Sequence, residues 1–125
     1  MSDKTIDIIA MGRVAVDLYA EQLNTPLSKV ASFNKYLGGS PGNISVGCSR
    51  LGLRSALISK VGQDDMGEFL LDTLQQEKVD INTVSQTDNH LTALAFLGIT
   101  PPSTFPLLFY RDNCADMQLR IEDLD

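Results

Sequence analysis

The sequence predicts an α/β fold with right-handed crossovers and an inserted β-flap. Three observations predict it. Apolar runs that suit strands alternate with segments whose apolar residues recur at helical spacing. Glycine-rich turns separate these segments, and two apolar runs near the end of the chain predict a hairpin. We assign residues 1–125 to one unit, because 125 residues fit one domain or a part of a larger one.

The first predicted strand covers Ile6 to Gly12, a mostly apolar run that ends at glycine. Such a run is typical of a strand buried on both faces. Residues 14–18 continue extended, although Asp17 interrupts their apolar character. Residues 19–37 mix scattered apolar side chains with polar ones, and they predict short edge strands or a flap.

Two helices flank the next strand. Small and apolar residues at helical spacing predict a helix over 43–51, and a short apolar strand follows over 56–61. The second helix is predicted to begin at Asp65, with Glu68 three positions later as its capping-box partner.

The last third of the chain contains the predicted hairpin. A short strand is expected over 79–84, and the hairpin strands cover Leu91 to Ile99 and Phe105 to Tyr110. The tail over 116–125 indicates the start of another element. Because the chain stops there abruptly, we expect it to be the N-terminal portion of a longer protein.

Composition excludes several classes of function. Ten Lys and Arg against sixteen Asp and Glu give a net charge of -6, which argues against a nucleic-acid surface. No apolar run approaches the roughly 20 residues of a membrane helix, and no signal peptide is visible, so we expect a cytoplasmic protein. Cys48 and Cys114 are too few for a disulfide framework or a four-ligand zinc site. His90 lies in a predicted turn, where a solvated loop histidine is favoured over a catalytic base.

The loop Gly38-Gly39-Ser40-Pro41-Gly42-Asn43 is the densest turn signal in the chain. Glycines ahead of a helix let backbone N–H groups approach a ligand closely. Asn43 can cap the helix or present its amide outward. A plain strand–helix connection is an equally good interpretation. The loop is neither a Walker A loop nor a dinucleotide fingerprint, because it lacks Gly-Lys-Ser/Thr and follows a flap.

Individual charged residues are weaker signals. Asp17 is predicted at the end of the first strand, where open α/β sheets bind ligands, and its carboxylate suits vicinal hydroxyls. An exposed strand-end aspartate is the alternative. Arg111 follows an apolar hairpin strand and could bind a carboxylate with two donors, unless it forms a surface pair with Asp112. The adjacent Asp64 and Asp65 are interpreted as a helix start, not as a metal pair.

Together these motifs resemble the N-terminal signature of the ribokinase-like carbohydrate kinases. The motifs occur in order: Gly12 followed by Asp17, Gly38-Gly39-x-x-x-Asn43, Arg50-Leu51-Gly52, and Val61-Gly62-x-Asp64-x-x-Gly67. The stretches 11–19 and 105–116 are similar to one branch of that family, which phosphorylates a sugar acid in inositol breakdown.

The resemblance implies a ribokinase-like α/β fold, in which a partial, doubly wound (Rossmann-like) sheet carries an inserted β-sheet lid over the sugar. The lid would be formed by residues 19–37 and 91–110. Lid strands commonly pair between subunits in this family, so the resemblance also implies self-association. The partner implied for the site is a small polyhydroxy substrate. The resemblance assigns Asp17 to the substrate hydroxyls, and Gly38, Gly39 and Asn43 to the loop that wraps the sugar. Position in the sequence suggests Arg111, or its competitor Arg13, as the residue that binds a substrate carboxylate.

In the whole enzymes of this family, ATP with Mg²⁺ supplies the phosphoryl group. An aspartate base and a Gly-Ala-Gly-Asp-type helix start complete the site, and the 125 residues contain no such motif. We therefore expect no catalytic residue, no ATP site and no metal in this chain alone. The alternatives are a non-catalytic sugar-binding or dimerisation module, an inactive fragment, or a kinase for another substrate such as fructose or 2-dehydro-3-deoxygluconate.

Overall fold

The computed structural model describes residues 5–100 and 105–124, so the middle of the predicted hairpin loop lies outside the described residues. The strands are β1 Ile8–Met11, β2 Ala15–Ala20, β3 Phe33–Gly38, β4 Ser55–Gly62, β5 Val84–Thr87, β6 Leu94–Leu97 and β7 Leu107–Tyr110. The helices are α1 Ser40–Arg50 and α2 Asp65–Gln76, and single 3₁₀ turns cover Leu27–Lys29, Ala115–Gln118 and Ile121–Leu124.

The strands form two sheets. A parallel sheet has the order β1-β4-β5, and a second sheet, the lid sheet, has the order β3-β2-β6-β7. In the lid sheet β2 and β6 run parallel, whereas β2–β3 and β6–β7 are antiparallel pairs. The predicted α/β fold with an inserted sheet and a hairpin is confirmed.

The core lies between the parallel sheet, α2 and the base of the lid sheet. Its buried members are Val14, Val16, Leu57, Val61, Leu70, Leu74 and Val79. Leu70 and Leu74 are four residues apart on α2, so they project from the same helix face onto β4. Burying a leucine or valine fully contributes about 1.5–3 kcal/mol. Because Val16 belongs to the lid sheet, the base of the lid is part of this core.

The lid sheet begins earlier than predicted. Residues 14–18 were expected to continue the first strand and the lid was expected from residue 19, but β2 is a lid strand from Ala15 onward. The chain leaves the parallel sheet at Gly12. Its φ of 136° is a backbone conformation that residues with a Cβ rarely adopt. Asp17 therefore lies within a lid strand and not at the end of β1, which corrects the position assigned to it.

β1 is only partly buried. The prediction of burial on both faces was wrong for this chain, because Ile9 and Met11 are 58% and 63% exposed. Among the described residues β1 pairs with β4 alone.

The helix starts differ in detail from the prediction. α1 begins at Ser40 and not at Asn43, because Pro41 fits the first helical turn, where a missing N–H leaves no bond unmade. α2 begins at Asp65 as predicted, but its cap is Asp64, whose carboxylate accepts the Gly67 N–H.

Two strand positions were also wrong. The strand expected over 79–84 lies at Val84–Thr87, and residues before it contribute one isolated bridge, between Ala56 and Asp80. The first hairpin strand is shorter than the expected 91–99. Both strand limits were wrong for the same reason. An apolar run indicates which residues are buried, but it does not show where hydrogen bonding to the neighbouring strand begins.

The turn before β6 was predicted correctly, but the setting of His90 was not. His90 is half-buried, and in the described part of the chain its buried Nδ1 has no hydrogen-bond partner. In residues 5–100 and 105–124, no helix has the length and apolar character needed to cross a bilayer.

Candidate functional site

A cavity of about 370 Å³ lies where the lid sheet meets the start of α1. Three small side chains, Ala15, Ala93 and Ala95, line it together with the ring of Phe109. Since alanines fill little space, these three positions leave room for the cavity. Four of the predicted site residues also line the cavity: Arg13, Asp17, Gly39 and Arg111.

Asp17 occupies the centre of the lid face that borders the cavity. On the neighbouring strands it pairs with Tyr36 and Ala95. Its carboxylate is half-buried, and burial raises the pKa of Asp17 above its usual range. No side chain or backbone group in residues 5–100 and 105–124 hydrogen-bonds or ion-pairs with this carboxylate. A partly desolvated acceptor is therefore open to hydroxyl donors in the cavity.

Gly38 leaves room for the side chain of Asp17. It lies at the end of β3, paired with Ala15, and a Cβ at this position would overlap the carboxylate of Asp17. Gly38 does not itself line the cavity, so its contribution is to leave room for Asp17. Gly39 follows as the N-cap of α1 and lines the cavity directly.

Arg13 is anchored by a residue that the sequence did not nominate. Its Nε donates to Oδ2 of Asp116 at 2.7 Å, across 103 residues of sequence. The side chain of Asp116 is 3% exposed and that of Arg13 is 28% exposed. The only sequence signal for Asp116 was its place in the stretch 105–116, which carried the resemblance.

Arg111 lies at the rim of the cavity. Its guanidinium carbon is 3.7 Å from the centroid of the Phe109 ring, a cation–π contact worth about 0.5–1 kcal/mol at an exposed site. The alternative ion pair with Asp112 does not occur among the ion pairs of the described residues. Stacking on Phe109 leaves the guanidinium N–H groups exposed to a ligand.

Asn43 is not in this cavity. It lines a separate groove of about 350 Å³ between α1, α2 and β3, together with Lys35 and Phe69. Because α1 begins at Ser40, Asn43 is already in the first turn, where its N–H donates to the Gly39 carbonyl at 2.9 Å. Asn43 and Asp17 therefore line different cavities of the structure.

The described residues provide no ligand set for a divalent cation. Within 5–100 and 105–124, no three His, Cys, Asp or Glu side chains are grouped closely enough to hold a metal ion. Asp64 serves as the cap of α2 and Asp65 is exposed in its first turn.

Residues 5–123 match the profile of the pfkB family carbohydrate kinases. The chain belongs to this family. Among the curated relatives of this pfkB-family chain is the 5-dehydro-2-deoxygluconokinase of Geobacillus kaustophilus strain HTA426, which is 38% identical over 123 residues. The match covers 98% of this chain and 37% of that protein.

Solved structures agree with the family. An uncharacterized sugar kinase from Pyrococcus horikoshii, in complex with ATP, is 34% identical with a TM-score of 0.86, and the match covers 94% of this chain and 38% of that one. The PfkB protein from Polaromonas sp. JS666 is 28% identical with a TM-score of 0.90, and the match covers 97% and 40%. The pfkB-family chain thus spans little more than a third of the length of these proteins.

These comparisons confirm the resemblance to carbohydrate kinases and to the branch indicated by residues 11–19 and 105–116. They also confirm the ribokinase-like fold. The roles of the individual site residues stay predictions.

Proposed function

We propose that this chain is the sugar-side and lid part of an ATP-dependent carbohydrate kinase, called the whole kinase below. Its proposed substrate is 5-dehydro-2-deoxygluconate, phosphorylated on the primary hydroxyl in the cytoplasm as a step of inositol breakdown. The names of relatives at 38% and 41% identity support this substrate. The observation that carries the proposal is one cavity that is lined both by the carboxylic residue Asp17 and by two arginines, Arg13 and Arg111.

The cavity suits a small polyhydroxy acid. Asp17 accepts hydrogen bonds from neighbouring hydroxyls, and the two guanidinium groups attract the acid's carboxylate. Phosphoryl transfer depends mainly on positioning and electrostatic stabilisation, and this chain contributes the positioning of the acceptor. ATP with Mg²⁺ supplies the phosphoryl group in the whole kinase.

A coupled ADP-release assay tests this function. We expect the whole kinase to turn over 5-dehydro-2-deoxygluconate with a higher kcat/KM than fructose or 2-dehydro-3-deoxygluconate. We expect residues 1–125 alone to give no turnover, because the groups that stabilise the transferring phosphoryl typically contribute several orders of magnitude to the rate. Comparable turnover by the isolated chain would place a catalytic group within it. A preference for fructose would favour the alternative in which the whole kinase acts on another sugar.

Arg111→Ala is expected to lower kcat/KM for the sugar acid about five- to tenfold, a modest loss because the guanidinium is exposed at the rim. The neutral sugar fructose, measured by turnover or by competitive inhibition, should be unaffected. Arg120→Ala is the matched control, since Arg120 is also exposed but does not line the cavity. Equal losses on acid and neutral sugar would mean that Arg111 shapes the lid and does not recognise charge.

We also propose that the chain self-associates through its lid strands. All four side chains of β7 are between 44% and 57% exposed, and β7 is an edge strand of the lid sheet. Unpaired strand edges and uncovered apolar faces favour association. Sedimentation velocity from micromolar to millimolar concentration should show a dimer or larger species, which Leu108→Lys weakens and Leu91→Lys, outside the strand, does not. A clean monomer over this range would contradict the proposal.

A further inference from the structure

The Arg13–Asp116 ion pair joins the base of the lid to the segment that follows β7. Arg13 lies between β1 and β2 and lines the cavity, whereas Asp116 lies outside the cavity lining in the turn Ala115–Gln118. The Nε–Oδ2 distance is 2.7 Å. Any effect of Asp116 on a ligand in the cavity therefore acts through Arg13.

Asp116 is held in place by contacts that do not involve Arg13. The Ala115 N–H donates to the Leu91 carbonyl at 2.8 Å, which fixes the turn against the start of the hairpin. The side chain of Gln118 donates to Oδ1 of Asn113 at 3.1 Å. Ala115 and its neighbour Cys114 are buried. The carboxylate thus has a fixed position from which to orient a flexible arginine.

The geometry of the pair leaves the outer edge of the guanidinium free to bind. Asp116 uses only the Nε of Arg13, and the terminal nitrogens make one weak contact within the described residues, from Nη2 to the Met117 sulfur at 3.8 Å. Among residues 5–100 and 105–124 no second carboxylate contacts this guanidinium. The two terminal nitrogens form the edge that binds a planar carboxylate with two parallel hydrogen bonds.

Stability alone does not account for this pair. The second oxygen of Asp116, Oδ1, is buried and has no partner within the described residues. A buried carboxylate with an unsatisfied oxygen has a desolvation penalty that one ion pair offsets only in part. The consequence that remains is the fixed orientation of Arg13.

We propose that Asp116 is a positioning residue, which holds Arg13 by its Nε so that its terminal edge receives the anionic group of the substrate. This inference rests on the proposed function, because it concerns the carboxylate of a sugar acid in the same cavity. A competing effect has the opposite sign: if Asp116 mainly neutralised Arg13, removing its charge would strengthen the binding of an anion.

Steady-state kinetics of the whole kinase separates the two effects. Asp116→Asn keeps the size of the side chain and removes its charge. Positioning predicts about a tenfold increase in KM for 5-dehydro-2-deoxygluconate, with kcat, the ATP KM and the fructose constants unchanged. Asp123→Asn is the matched control, because Asp123 lies in the same tail and pairs at 2.9 Å with Lys60, which does not line the cavity. We expect it to leave both sugar constants unchanged.

A double-mutant cycle adds an independent readout. Arg13→Gln should raise the sugar-acid KM at least as much as Asp116→Asn, and the double variant should be no worse than Arg13→Gln, since the two residues act as one unit. If Asp116→Asn does not fold, Arg13→Lys replaces it: the charge stays, but the fork of parallel donors is lost, and the sugar-acid KM should still rise. An unchanged KM in Arg13→Lys would overturn the proposal.

The remaining outcomes are distinct. A lower sugar-acid KM in Asp116→Asn, equal losses on acid and neutral sugar, or additive effects in the cycle would each overturn the positioning role and leave the proposed function intact. A wild-type enzyme that does not use the sugar acid would overturn the proposed function, and the inference with it.

Discussion

Asp17→Asn in the whole kinase is expected to lower kcat/KM for the sugar about ten- to a hundredfold, with the ATP KM unchanged. The expected loss corresponds to about 1.5–3 kcal/mol, the contribution of hydrogen bonds to a charged group. An amide keeps the shape of the side chain, but it loses the charge and turns a donor toward the substrate hydroxyls. The carboxylate has no hydrogen bond or ion pair in the described part of the chain. The substitution should therefore weaken ligand binding without breaking a polar contact within the protein.

The effect of pH on this site has a defined sign. Burial raises the pKa of Asp17, so the ionised, sugar-binding form is lost at a higher pH than for an ordinary aspartate. The sugar KM of the wild type should therefore rise as the pH falls toward this raised pKa, whereas that of Asp17→Asn should stay flat. A raised pKa in the folded state also means that ionised Asp17 lowers stability, so the variant should melt no earlier than the wild type.

The control for this prediction is Asp72→Asn, because Asp72 is an exposed acid on α2. It should leave the kinetic constants for both substrates unchanged. A rise in the ATP KM with an unchanged sugar KM would show that Asp17 does not bind the sugar.

Asp64→Ala is expected to give the largest loss of stability, about 3 kcal/mol in the free energy of unfolding. The carboxylate of Asp64 accepts three hydrogen bonds: from the Gly67 N–H at 2.7 Å, the Thr92 N–H at 3.0 Å and the Thr92 hydroxyl at 2.7 Å. The same hydroxyl accepts the Gly62 N–H at 2.9 Å. Truncation removes the cap of α2 and leaves buried donors unsatisfied at the base of the lid.

The pH dependence of this contribution follows from the pKa of Asp64. Burial opposes its ionisation, but the hydrogen bonds from Thr92 and Gly67 outweigh burial and hold the pKa below its usual range. A pKa lowered in the folded state contributes stability above the unfolded value, about 3.9 for aspartate, and this contribution disappears as the pH falls through the folded value.

Urea unfolding of the wild type and Asp64→Ala at pH 7 and pH 3 measures this contribution. The difference between the two proteins should be large at pH 7 and smaller at pH 3. Asp65→Ala is the control, since Asp65 is exposed in the first turn of the same helix. If the two variants lost the same small amount of stability, the hydrogen bonds of Asp64 to Gly67 and Thr92 would not contribute the stability expected of them.

The sequence predicted the order of the elements better than their limits. Apolar runs and glycine turns are local signals, and they located both helices and the hairpin. The start of the lid sheet was missed because β2 continues the apolar character of β1, and only the backbone at Gly12 separates the two. Pro41 was a sequence signal that α1 begins before Asn43, because proline is common in the first turn of a helix. From the sequence alone, Asp64 and Asp65 are equally good candidates for the helix cap. The hydrogen bond that Thr92, 28 residues away, donates to Asp64 distinguishes them.

The site was predictable in part. Asp17 and Arg111 could be nominated, since a charged residue beside an apolar strand is visible in the sequence. The Arg13–Asp116 pair was not predictable, because its members are 103 residues apart and no local pattern connects them. Asn43 was expected at the site because the resemblance assigned it to the wrapping loop, whereas in the structure it lies in the first turn of α1 and lines a separate groove.

All four crossings between the core and the lid sheet lie at one end of that sheet. β2 begins there at Ala15 and β3 ends there at Gly38, and the register aligns them with the start of β6 and the end of β7. The described strands of the lid sheet are therefore joined to the core along a single line. A rotation about that line displaces the far ends of the strands most and residues near it, such as Arg13, least. Because the candidate sugar-binding residues Asp17 and Arg111 lie close to that line, such a rotation would change the solvent access of the cavity more than the separation of these two residues.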